Sequence, residues 1–272
     1  MEIKLLALDL DGTVLRTDNT LAPEVRDAIK QAVSGGIEVA VASGRPFSSM
    51  PKDVLAIDGI SWVVASNGAA IYNNGVRAHS DTLSEADVLR VLDLTKKHDL
   101  IWEAFIEGET CTDKRYYDNP TKYGCSEAYV SYVRGSRGCC SDMRGYIRRN
   151  RRILDSIEFV STDSALREGL WGRLESELPN VYITSSSKNF VELMNGTATK
   201  ANALRWLSER LGIDIKNTAA AGNADNDADM LALAGFGAAV SNATPVCLSA
   251  ADAVIPSNDE GGVRELIRQI LL

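Results

Sequence analysis

The chain has 272 residues, 45% of them hydrophobic and 24% charged, and a formal net charge of −8. This size and composition suit a soluble globular protein with one large domain or two smaller ones. The acidic balance argues against a nucleic-acid partner, and no apolar run reaches the roughly 18 residues of a membrane-spanning helix.

Leu5 to Leu8 is a short apolar run of the kind that fills a central buried strand. It ends in Asp9-Leu10-Asp11-Gly12-Thr13, two carboxylates followed by a turn residue. Pro23 opens a helix with Val25, Ala28, Ile29, Ala32 and Val33 at helical spacing, and Gly35-Gly36 close it. Ile37–Ala42 reads as a second strand ending at Ser43-Gly44-Arg45, and Pro46 to Ala56 as a poorly defined helix. Trp62–Ala65 reads as a third strand ending at Ser66-Asn67-Gly68. Strand–helix alternation with short turns predicts a Rossmann-like, doubly wound parallel sheet of the α/β class.

The rhythm changes after Asn73-Asn74-Gly75. Ser84 is placed to cap a helix whose apolar face is Val88, Val91 and Leu92. Strands are expected at Trp102–Ile106, Val130–Val133, Ile157–Ser161 and Val181–Thr184, with a helix at Leu166–Leu178. This predicts a second, smaller α/β domain inserted at residues 83–189, leaving 1–82 and 190–272 as the core. From Lys114 to Arg152 ten basic residues face only Asp118, Glu127 and Asp142, a net of +7. Such a surface is either a solvated face or one that attracts an anionic ligand. One or two of Arg115, Arg134 and Arg137 are expected near that ligand.

The core rhythm resumes with a strand at Phe190–Met194 and a helix at Thr199–Leu211, stopped by Gly212. Thr218–Ala221 is a small-residue strand that runs into Gly222-Asn223-Ala224-Asp225-Asn226-Asp227. A helix from Asp225, strands at Gly237–Val240 and Ala253–Ile255, and a closing helix at Val263–Leu271 follow.

The five cysteines lack Cys-x-x-Cys spacing and the two histidines stand alone, so zinc and a His-based triad are set aside. A metal here would take oxygen ligands, which favours Mg²⁺ or Mn²⁺. Reduced thiols and no apolar leader point to a cytoplasmic protein. Oligomeric state is not legible; a monomer is the default. Asp9/Asp11, Ser43, Lys200 and Asn223/Asn226/Asp227 all fall at strand ends or a helix start, which in a parallel sheet lie on one edge. Carboxylates for a cation, a hydroxyl and N–H groups for phosphate oxygens, and a lysine for developing charge suit phosphoryl transfer.

These motifs resemble those of the haloacid dehalogenase superfamily, and within it the Cof-type hydrolases. The likeness rests on Asp9-Leu10-Asp11-Gly12-Thr13, Ser43-Gly44-Arg45, Lys200 and Gly222-Asn223-Ala224-Asp225-Asn226-Asp227, with Ser66-Asn67-Gly68-Ala69 and Asn258-Asp259-Glu260-Gly261-Gly262-Val263 beside them. It implies a Mg²⁺-dependent phosphatase acting on small phosphorylated metabolites, sugar phosphates foremost, with the insert as an α/β cap. It further implies Asp9 as nucleophile, Asp11 as acid and base, and Lys200 pairing with nucleophile and phosphate. Ser43, Gly44 and Asn226 would bind the phosphoryl group. The metal would be held by Asp9, the Asp11 carbonyl, Asn223 and Asp227. Arg45 reads as structural or substrate-adjacent. The family's usual Gly-Asp is Gly222-Asn223 here, one negative charge fewer. Two alternatives stay open: a phosphomutase or phosphotransferase of related fold, and a weakly active or non-hydrolytic binding protein.

Overall fold

β1 (Leu5–Asp9) is buried along its whole length, which is why its sequence runs apolar rather than alternating. β2 (Glu38–Ala42), β3 (Ile60–Ala65), β4 (Ala70–Asn73) and β5 (Val76–Ser80) follow. Next come β6 (Ile101–Ile106), β7 (Glu109–Asp113), β8 (Arg137–Cys140), β9 (Leu154–Val160), β10 (Val181–Thr184) and β11 (Phe190–Asn195). β12 (Thr218–Gly222), β13 (Phe236–Val240) and β14 (Ala253–Ile255) complete the strands of this computed structural model, which describes residues 2–185 and 188–272.

The chain divides into two compact units. The first is Met1–Arg45, Met50–Ala78 and Thr199–Leu272; the second is Pro46–Ser49 and His79–Ala198. The first unit is built on a sheet of order β14-β13-β12-β1-β2-β3-β4-β5. From β14 to β3 every pairing is parallel, with Leu8 opposite Ala221 and Asp9 opposite Ala42; β4 returns antiparallel to β3. This is the doubly wound α/β sheet that the strand–helix rhythm predicts. Leu5, Ala7, Ala40, Val64 and Ala220 meet Leu204, Leu207, Met230 and Leu231 of helices Lys200–Leu211 and Asp225–Leu233 on one face. The alanines of β12 leave room for those helices to sit close to the sheet.

The second unit has its own sheet, of order β10-β11-β9-β6-β7-β8, antiparallel except for β7 against β8. Trp102, Ala104, Ile157, Phe159, Val191 and Leu193 point to one face and form a core with helices Glu85–Leu94, Met143–Arg149 and Ser164–Glu177. Ser84 caps the first of these, its side chain accepting from the Asp87 N–H as expected. On the opposite face Glu192, Glu158, Glu103 and Thr112 lie in one row across β11, β9, β6 and β7.

Two expectations differ from the structure. Residues 130–133 are the first turn of helix Val130–Ser136, not a strand; a four-residue pattern with one buried position, Val133, does not separate the two periods. β11 belongs to the second sheet because it pairs with β9 and β10, so the return to the first unit comes at Thr199 rather than at residue 190. The three arginines expected near a ligand make contacts within the second unit, which leaves that expectation open. Arg115 pairs with Asp113 and Asp99, Arg134 donates to the Tyr117 and Asp118 carbonyls, and Arg137 pairs with Glu103.

Candidate active site

The site is built where four neighbouring parallel strands of the first unit end: β12, β1, β2 and β3. Asp9 is the last residue of β1, Ser43 and Ser66 follow β2 and β3, and Gly222 ends β12. Thr199 caps the helix that starts with Lys200, its side chain accepting from the Asn202 N–H.

Lys200 Nζ donates to Asp9 Oδ1 at 2.7 Å and to Asp227 Oδ1 at 2.6 Å, and all three side chains are buried. Burial works against the lysine's charge, but the two carboxylates outweigh it and hold Lys200 protonated well beyond its ordinary range. Asp9 is pushed up to about 7, by burial first and the Asp227 charge second, with Lys200 opposing. Asp9 Oδ2 is buried and has no hydrogen-bond partner.

Asp227 Oδ2 accepts from the Asn223 and Ala224 N–H groups, both at 3.0 Å. Both oxygens of this expected metal ligand are therefore committed inside the protein: one fixes Lys200, the other ties down the loop after β12. Asn223 Oδ1 accepts from Thr13 Oγ1 at 3.3 Å. A Cβ on Gly12, whose φ is +79°, would lie 2.6 Å from Asn223 Nδ2, so glycine is what lets the amide lie over this turn. Asn223 thus stands against the Asp11–Thr13 turn.

Asp11 is paired with Arg45 rather than with any other expected site residue. Ser43 Oγ accepts from the Arg45 N–H at 3.1 Å, and the Ser43 N–H donates to the Val64 carbonyl. Of Ser43 only the hydroxyl is left to donate. Asn226 Nδ2 donates to Asn67 Oδ1 at 2.8 Å. Residue-level reading gave no definite role to Arg45, Thr13 or Asn67. Their signal was adjacency to the strand-end motifs.

An orphaned, buried carboxylate oxygen is costly unless something compensates it. The Asp9 carboxylate, the Asn223 amide oxygen and the backbone carbonyl of Asp11 would offer an all-oxygen donor set, of the kind that suits a hard divalent cation. Among the described residues no three His, Cys, Asp or Glu side chains form a metal cluster. Only one of the donors just named is a side chain of those types.

A family model described as haloacid dehalogenase-like hydrolase matches residues 6–267. The chain belongs to the haloacid dehalogenase-like hydrolase family. It is 29% identical over 286 residues to Phosphatase YwpJ of Bacillus subtilis (strain 168), covering 99% of this chain and 100% of that protein. It is 25% identical over 281 residues to the 5-amino-6-(5-phospho-D-ribitylamino)uracil phosphatase YcsE of the same organism, covering 100% and 97%. The solved structure of a haloacid dehalogenase-like hydrolase from B. subtilis superposes with a TM-score of 0.82 at 29% identity, covering 98% of this chain and 99% of that one. Phosphatases are thus the haloacid dehalogenase-like relatives of this chain, and phosphoric monoester hydrolysis is the enzyme class they share with it. No helix among the described residues is long and apolar enough to cross a membrane.

Proposed function

We propose that this hydrolase is a Mg²⁺-dependent phosphatase of small phosphorylated metabolites, sugar phosphates foremost, working through an aspartyl-phosphate on Asp9. Mn²⁺ is the alternative metal. The observation that carries the reading is the buried Asp9–Lys200–Asp227 array with one Asp9 oxygen left unclaimed. A carboxylate that must attack phosphorus needs a free oxygen and a fixed direction. Lys200 supplies the direction, and its charge lowers the repulsion between carboxylate and phosphate. Asp227 holds Lys200 in turn.

Asp9 forms the bond to phosphorus as the bond to the leaving alcohol breaks, and Asp11 delivers the proton that alcohol needs. Asp11, now ionised, takes a proton from the water that attacks the aspartyl-phosphate, which releases phosphate and restores Asp9. The Ser43 hydroxyl, the Gly44 N–H and Asn226 receive the phosphoryl oxygens. Asp9, the Asp11 carbonyl and Asn223 would hold the cation, with Asp227 behind them through Lys200 and the loop. When bound, the cation supplies Lewis-acid neutralisation of the two approaching anions.

The substrate class is supported by the phospho-ribityl compound in the name of YcsE. The first unit is assigned the chemistry and the second the choice of substrate. The five cysteines, all free, suit a reducing cytoplasm. The test is phosphate release from a panel of metabolite esters with Mg²⁺ or Mn²⁺, beside Asp9→Asn. Hydrolysis by the wild type alone supports the reading; equal release by both sinks it. Isomerised sugar phosphate in place of free phosphate would move the chain to the mutases.

A further inference from the structure

Three residues in a row after β3 have positive φ: Ser66 at 48°, Asn67 at 56° and Gly68 at 111°. Glycine adopts this region freely and asparagine with little penalty, whereas serine does so only where its surroundings hold it. The surroundings here are the other strand-end clusters. The Ser66 N–H donates to the Arg45 carbonyl at 2.9 Å and the Asn67 N–H to the Ser43 carbonyl at 3.0 Å. A Cβ on Gly68 would lie 2.5 Å from the carbonyl oxygen of Thr199, the cap of the Lys200 helix. A Cβ on Gly44 would lie 3.3 Å from both polar atoms of the Asn67 amide. Asn67, 2% exposed as a residue, accepts from Asn226 Nδ2 through its side chain. One strained turn therefore touches the Ser43–Arg45 segment, the start of the Lys200 helix and Asn226.

We propose that Asn67 is a positioning residue for phosphoryl recognition. It acts through Asn226, so the proposal rests on the phosphatase reading above. An amide nitrogen carries two N–H groups. Asn67 Oδ1 takes one, which fixes the Asn226 amide against flipping and leaves the second N–H for a phosphoryl oxygen. The backbone of the same turn sets the spacing between that donor and the Ser43–Gly44 segment. Aspartate at 67 would also accept from Asn226, but would set an anion beside an anion. Glycine would relax the backbone and remove the acceptor.

The test measures inorganic phosphate binding by calorimetry, with KM and kcat for p-nitrophenyl phosphate and the thermal midpoint alongside. The variants are Asn67→Gly, Asn67→Asp, Asn226→Ala and the double Asn67→Gly/Asn226→Ala. Asn67→Gly should keep the wild-type midpoint or exceed it while weakening phosphate about tenfold, the size of one lost charge-assisted hydrogen bond. Asn67→Asp should bind phosphate more weakly than Asn67→Gly. The double variant should be no worse than its worse single, since both break one interaction. Unchanged phosphate binding in Asn67→Gly, or losses that multiply in the double variant, overturns the proposal. A lower midpoint with phosphate binding intact also overturns it, by making the role structural. A wild type that neither binds nor releases phosphate overturns the phosphatase reading and this one together; wild-type hydrolysis with any of the former results overturns this one alone.

Discussion

Arg45 grips both carboxylate oxygens of Asp11, with Nε 2.8 Å from Oδ2 and Nη2 2.5 Å from Oδ1. The two N–H groups fork onto the two oxygens, a geometry that an arginine forms and a lysine does not. The grip orients the carboxylate proposed as acid and base. It also has to loosen before Asp11 can carry a proton to a leaving group.

The consequence is a dependence on the leaving group. An alkyl alcohol needs a proton as it departs, while p-nitrophenolate does not. In Arg45→Ala, kcat/KM for alkyl phosphates should fall about tenfold more than for p-nitrophenyl phosphate, with Arg45→Lys recovering only part. Steady-state kinetics on matched esters measure this. Equal losses on both would make Arg45 a plain phosphate binder.

The raised Asp9 carboxyl sets a pH dependence of stability. Its folded pKa, about 7, lies above the ordinary 3.8. The folded state therefore holds this proton more tightly than the unfolded chain does. The contribution is full below about pH 4, is lost as pH rises through about 7, and is flat beyond; three units at ~1.4 kcal/mol each make it on the order of 4 kcal/mol. Asp9→Asn removes the term. With a chelator present, urea denaturation should find the variant more stable than wild type at pH 8 and little different at pH 4. Added Mg²⁺ should close that gap at pH 8, because a metal that needs the ionised Asp9 stabilises only the wild type there. Parallel stability curves for the two proteins would count against the raised carboxyl.

Asn223 leaves the proposed cation with one charge fewer than an aspartate would provide. Asn223→Asp should tighten Mn²⁺ and Mg²⁺ about tenfold, read by calorimetry, since ligand charge is a main determinant of affinity for hard cations. The Thr13 hydroxyl can donate to either residue. Unchanged affinity would remove position 223 from the ligand set.

The second unit carries two buried glutamates directly opposite each other, Glu103 and Glu158. Burial and then the Glu103 charge push Glu158 well above the usual carboxylate range. For Glu103 burial pulls upward, but Arg137 and the hydrogen bond shared with Glu158 hold it below that range. Of the two, Glu158 is the one whose surroundings favour the protonated form. Glu158→Gln should become steadily more stabilising relative to wild type as pH rises above the ordinary carboxylate range, because the raised group loses its contribution as pH rises. Glu103→Gln should cost about 3–5 kcal/mol, the usual result of stripping a mostly buried arginine of its partner. Urea denaturation of both at several pH values tests the pair, and equal costs at every pH would refute the assignment.

What could be read from residues alone follows from where the information lies. Asp9, Lys200 and Asp227 were legible because each sits at a fixed offset from an apolar run or a helix start, so backbone topology alone brings them to one sheet edge. The Arg45–Asp11 pair was not, since it depends on where two long side chains turn after the backbone has placed them. β7 and β8, Glu-Thr-Cys-Thr-Asp and Arg-Gly-Cys-Cys, were missed because neither carries a period-2 apolar pattern: β7 buries Thr110, Thr112 and Asp113, and β8 is a short strand at the sheet's edge with no fully buried residue. β11 was recognised as a strand but given to the first unit. A strand's sequence carries its period and not the identity of its neighbour, and only the pairing of Val191 with Phe159 decides the matter.

β1 lies between β2 and β12, and Asp9 is bridged to Lys200, 191 positions later in the chain. During synthesis β1 therefore emerges with one neighbour soon available and the other still untranslated. Its second edge can be paired only once Thr218–Gly222 has been made, and the intervening 79–198 segment carries a sheet of its own. Asp227, which fixes Lys200 against Asp9, is made later still. A chain that lacks the last quarter keeps Lys200 but loses Asp227 and β12, and so leaves one edge of an apolar strand unpaired.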